Sequence, residues 1–91
     1  MASIIRANGT IEPFPLIGGQ ATLQALQRAV DGWIQVILLP DDKLLIVNEE
    51  GLYREDLSTN HLASTMAIGH AVMDRRGIVG DAVLLDRKEM L

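Results

Sequence analysis

The sequence predicts an α+β domain: a small antiparallel sheet of four to five strands with one long and one shorter helix packed on it. Three observations carry that prediction. Aliphatic runs at 33–39, 43–48 and 78–85 are rich in Ile, Val and Leu, the composition of strands. Leu23, Leu26 and Val30 recur at i, i+3 and i+7, which is the spacing of one helix face. Turn signals at Asn8-Gly9, Gly18-Gly19, Asp31-Gly32 and Pro40-Asp41-Asp42 divide these segments.

Taken in order, Ser3 to Ala7 and Thr10 to Leu16 read as a hairpin about Asn8-Gly9, a strong short-range hairpin signal. Pro13 and Pro15 confine the returning strand to an edge or an irregular path. Gln20 to Val30 reads as the long helix, with Thr22 a candidate cap and Asp31-Gly32 the stop. Trp33 to Leu39 and Lys43 to Asn48 form a second hairpin. In its first strand both faces are mostly apolar, which predicts a central strand covered on both sides. Asn48 to Gly51 is a turn. Thr59 or Asn60 caps a second helix starting near His61, with Leu62, Met66 and Met73 on one face and Gly69 breaking it. Asp74 to Gly77 is a turn or loop. Ile78 to Leu85 reads as a buried strand in which Gly80 marks a bulge or a close backbone approach. The whole is one domain over residues 1–91, with a core at 20–85 and an edge hairpin at 3–16.

Composition narrows the function. The net charge of −4 disfavours binding to a nucleic-acid backbone, which needs concentrated Lys and Arg. The chain has no Cys, so disulfides, thiolate chemistry and Cys-ligated zinc are excluded. No apolar run approaches the ~20 residues that cross a bilayer, and the N-terminus lacks a signal-peptide pattern. The expected setting is cytoplasmic. The 48% hydrophobic content and mean hydropathy of +0.20 are high for a small soluble chain, which points to a homo-oligomer.

No catalytic motif is present: neither Gly-x-Ser-x-Gly nor a P-loop occurs, and no cofactor or metal set is evident. His61 and His70, nine residues apart, fall on opposite faces of a continuous helix and cannot share one metal. The candidate ligand-binding residues are Trp33, Asn48, Glu49, Glu50, Tyr53 and Arg54, with Thr59, Asn60 and His61. Trp33 and Tyr53 offer flat faces with polar edges for stacking. The hairpin brings the start of its first strand beside the end of its second, placing Trp33, Asn48, Glu49, Tyr53 and Arg54 on one rim. Thr59, Asn60 and His61 form a helix N-terminus with hydroxyl and amide groups, which can hold a phosphate or simply cap the helix. Glu49 and Glu50 equally suit a solvated turn.

Leu23-Gln24-Ala25-Leu26-Gln27, Val30-Asp31-Gly32-Trp33-Ile34-Gln35, Val47-Asn48-Glu49-Glu50-Gly51, Asn60, Ala63 and Ile78-Val79-Gly80-Asp81 together resemble the phage and mobile-element family known as domain of unknown function 3846. The Asn-Glu-Glu-Gly element is the most specific part. The chain departs from the family pattern with Asp31 in place of a usual glycine and Gln35 in place of a usual acid. What the resemblance implies is a setting in phages and conjugative elements, where small acidic domains disarm host defences. The expectation is a non-enzymatic protein, in the host cytoplasm if phage-encoded, that sequesters a small nucleotide-like immune signal in a preformed pocket. The alternative is an acidic inhibitor that binds a host defence or restriction factor.

Overall fold

The computed structural model describes residues 1–71 and 76–90. In chain order the elements are β1 (Ser3–Ile5), β2 (Ile11–Pro13), α1 (Leu23–Val30), β3 (Ile34–Leu39), β4 (Lys43–Asn48), α2 (His61–Ala67) and β5 (Ala82–Asp86). Single 3₁₀ turns occupy Gly51–Tyr53 and Arg87–Glu89. The strands form one antiparallel sheet in the order β2-β1-β5-β4-β3, so the expected α+β architecture is present with five strands.

Local chemistry fixes most boundaries. The Thr22 hydroxyl accepts from Ala25 N–H to cap α1. Asp31 stops that helix in the left-handed region, at φ 61°. Asp41 and Asp42 also have positive φ, 62° and 55°, the signature of a type I′ hairpin turn between β3 and β4. α1 is shorter than the predicted Gln20–Val30 segment. Before Leu23 the chain is extended, with Ile17 bridged to Gln20 and Ala21 to Met90.

The two helices lie on opposite faces of the sheet. Leu26 and Val30 of α1 pack with Leu44, Ile46, Val83, Leu85 and Phe14. Ala63 and Ala67 of α2 pack with Ile5, Leu45, Val47, Ile37 and Ala82. Leu44 and Ile46 therefore point to one core while Leu45 and Val47 point to the other, as strand alternation requires. Two alanines at i and i+4 let α2 lie close against the sheet. Leu23, expected in the α1 stripe, is exposed. Met73, expected on the α2 face, and the Asp74-Arg75 part of the following turn lie outside the described residues.

One expectation is overturned. The strand at 33–39 is not central but an edge, and the strand enclosed on both faces is β4. Two-sided apolarity in a sequence cannot tell a strand between two neighbours from one with a bare flank. Here Val36 and Leu38 remain 40% and 57% exposed. β2, by contrast, is the edge that its prolines predict.

Asn60 joins sheet, loop and helix. It is 1% exposed, and its Nδ2 donates to Ile5 C=O at 2.7 Å and to Gly80 C=O at 3.0 Å. Its Oδ1 accepts from Ala63 N–H at 3.0 Å, capping α2. Gly80 meets the expected close approach: a Cβ there would lie 3.1 Å from Leu57 Cδ1, at φ +86°. Asn60→Ala loses the cap and leaves two buried carbonyls short of a donor, so denaturant melts should register a loss of about 3 kcal/mol. Asn60→Asp keeps the cap acceptor but turns an acceptor-only carboxylate oxygen towards the Ile5 and Gly80 carbonyls, so it should be at least as destabilising as Asn60→Ala.

Candidate functional site

Asn48 ends β4 on the α1 side. Its Nδ2 donates to Val30 C=O at 2.9 Å and Asp31 C=O at 3.2 Å, while its Oδ1 accepts from Glu50 N–H at 2.8 Å. One side chain thus satisfies carbonyls at the end of α1, groups a helix leaves without internal partners, and closes the turn after β4. Gly32 is required beneath it, because a Cβ at 32 would sit 2.9 Å from Asn48 Nδ2. Gly51 makes a second close approach: a Cβ there would lie 3.1 Å from the Val79 carbonyl oxygen, so a larger residue would force that neighbour to shift by a few tenths of an ångström. In the Asn-Glu-Glu-Gly element the first and last residues are therefore architectural, and the acids between them are exposed.

The rim predicted from the hairpin assembles through the backbone. Glu49 N–H donates to Trp33 C=O at 2.8 Å, and Tyr53 N–H to Glu50 C=O at 2.9 Å. The Arg54 guanidinium reaches across to Asp31, donating to its carbonyl at 2.9 Å and its carboxylate at 2.7 Å, and forks onto Asp56. Trp33 and Tyr53 are 64% and 80% exposed, so neither ring is a core plug. They do not line one cavity. Trp33 borders a shallow depression with Gln27 and Gly32.

The concave feature at this end lies on the α2 side of the sheet. It is a cleft of about 160 Å³ lined by Gln35 and Ile37 of β3, Val47, Asn48 and Glu49, Gly51 and Leu52, and Ala71 with Gly77–Val79. Ile37, Val47, Leu52 and Val79 supply apolar walls; Gln35 and Glu49 supply the polar side chains at its edge. Of the nine predicted residues, Asn48 and Glu49 belong to it. Thr59 pairs with Val79 in an isolated bridge, just behind that wall. Asn60 is consumed by the bonds already described, and His61 is exposed at the start of α2. These last three belong to the α2 cap rather than to the cleft lining.

Gln35 stands out in the sequence reading only as a departure from the family pattern, because that reading places β3 inside the sheet, and Leu52, in the 3₁₀ turn after β4, escaped it altogether. Arg76 escaped it too. Its guanidinium donates to the carbonyls of Leu52 at 3.1 Å, Arg54 at 3.0 Å and Leu57 at 2.8 Å, with a longer contact of 3.4 Å to Gly51. That clamp holds the irregular stretch forming one cleft wall. Nothing in an Arg-Arg doublet announces it.

Among the described residues no cluster of three or more His, Asp or Glu is arranged to hold a metal. No described helix is long and apolar enough to cross a membrane. Arg54 holds the Asp56 carboxyl well below its ordinary range, at about 2, by hydrogen bonds to the charged form. Because the folded value is depressed, the pair's contribution is complete above the ordinary carboxylate range and fades as pH falls towards 2. Carboxyl-carbon NMR titration should find the Asp56 midpoint near 2 and, in Arg54→Met, shifted upward to the ordinary range.

Residues 3–90 match the family described as Domain of unknown function (DUF3846). No curated protein and no solved structure matches the chain.

Proposed function

We propose that this chain, which belongs to the DUF3846 family over residues 3–90, is a non-catalytic binding domain that sequesters a small nucleotide-like molecule by its base end. The observation carrying the proposal is the cleft, in which Glu49 and Gln35 stand over apolar walls formed by Ile37, Val47, Leu52 and Val79. A carboxylate accepts paired N–H groups, and a carboxamide both donates and accepts. Those are the complements of a purine edge. Apolar walls suit the ring faces.

Size and charge define which part of the ligand is held. About 160 Å³ is below the ~300–1,000 Å³ of drug-sized pockets, so the cleft suits one ring system rather than a whole nucleotide. The nearby guanidiniums of Arg54 and Arg76 are engaged with Asp31, Asp56 and backbone carbonyls. Glu49 and Glu50 repel phosphate. The base therefore enters, and the phosphate end faces outward. Capture of an immune signal by a phage or mobile-element protein is the biological form of this proposal.

Calorimetry with a panel of purine and pyrimidine nucleosides and nucleotides tests it. A purine ligand should bind and be released chemically unchanged on heating. Glu49→Gln should weaken binding about 10- to 100-fold, the value of a hydrogen bond to a charged group, without altering the thermal midpoint of the free protein. Release of an altered ligand would instead identify an enzyme. Failure of every nucleotide to bind, with a host protein co-purifying, would favour the acidic inhibitor.

A further inference from the structure

The two sheet edges are unlike. β2 is three residues long, ends in Pro13, is followed by Phe14-Pro15, and carries Glu12 in an ion pair with Arg6. Short length, proline and charge are the devices by which natural edge strands avoid further pairing. β3 has none of them. Its six residues, Ile34-Gln35-Val36-Ile37-Leu38-Leu39, contain no charge, no proline and no glycine, and β4 is its sole sheet neighbour among the described residues.

The ladder determines which backbone groups face outward. Glu49 N–H bonds Trp33 C=O, and in an antiparallel pair residues turn alternately towards and away from their neighbour. Trp33, Gln35, Ile37 and Leu39 therefore bond to β4. Ile34, Val36 and Leu38 direct their N–H and C=O groups away from it. A strand, not an apolar helix, is the occupant that satisfies such a row.

We infer that β3 pairs antiparallel with β3 of a second copy of the chain, about a two-fold axis at Val36, to give a continuous ten-stranded sheet. That register engages all three outward-facing residues: Val36 lies opposite its counterpart and Ile34 opposite the partner's Leu38, giving about six hydrogen bonds. Shifting the axis by one residue leaves a position unused. The strand is uncharged throughout, so self-pairing sets no like charges opposite one another, and exposed Val36 and Leu38 gain apolar cross-strand neighbours. Because the contact is isologous and the β2 edges are blunted, assembly closes at two chains. The pairing also completes the cleft: Gln35 and Ile37 line it from the outermost strand, and this register sets Gln35 opposite the partner's Ile37 on that same face. The inference stands independently of what the cleft binds.

Sedimentation of the full chain is the test. It should give about 20 kDa, twice the 10.0 kDa chain, as a closed dimer requires. Val36→Lys and Leu38→Lys should each sediment as folded monomers by circular dichroism, whereas Ile11→Lys on the opposite edge should remain dimeric. Since the chain has no Cys, Val36→Cys places one thiol per chain beside the axis, as a hydrogen-bonded pair too wide for a direct disulfide. A short bis-maleimide should cross-link it to a dimer, while Ile11→Cys should stay uncross-linked. A wild-type monomer at 100 µM overturns the inference, as does a dimer broken by Ile11→Lys but not by Val36→Lys or Leu38→Lys. A wild-type monomer that instead captures an extended peptide along β3 would also refute it.

Discussion

The architecture depends on carboxamide side chains that satisfy backbone groups beyond the reach of its short helices and strands. α1 has eight residues and α2 seven. Segments of that length have little helical stability of their own and must be held by packing and caps. Asn60 bonds two carbonyls in the sheet region while capping α2, and Asn48 bonds the end of α1 while closing the turn after β4. Asparagine suits both places because one side chain donates and accepts at once. Among the described residues no buried side-chain polar atom lacks a partner, so these polar groups support the apolar core around them.

The same economy explains the cleft. Its wall at Gly51 and Leu52 is a single 3₁₀ turn, positioned by Arg76 bonding to carbonyls and lying so near Val79 that a Cβ at Gly51 would be crowded. The polar side chains at the cleft edge, Gln35 and Glu49, come from the ends of neighbouring strands, so their spacing is set by the β3–β4 register rather than by the loop.

Elements defined by short-range chemistry were legible in the sequence. Thr22, Asp31-Gly32, Pro40-Asp41-Asp42 and the capping oxygen of Asn60 each act within a few residues and do what their types predict, whereas the bonds from Asn60 to Ile5 and Gly80 span 55 and 20 residues. Long-range relations were less accessible. The edge position of β3 depends on β5 taking the place beside β4, and nothing within 33–39 reveals which flank stays empty. The candidate site was half visible for the same reason. The hairpin correctly united Trp33 with Glu49, yet Asn48 and Arg54 proved to be occupied by α1 and its cap. Gln35, on the strand placed wrongly, was noticed only as a departure from the family pattern and not as part of the site.

The lone indole of the chain, Trp33, is already largely in water in the native fold. Its emission colour should hardly register the collapse of the interior, so fluorescence is a poor clock for denaturation here. It is correspondingly a clean reporter of whatever settles over that corner of the molecule. Nature has left this small protein with a built-in probe that watches its neighbours rather than itself.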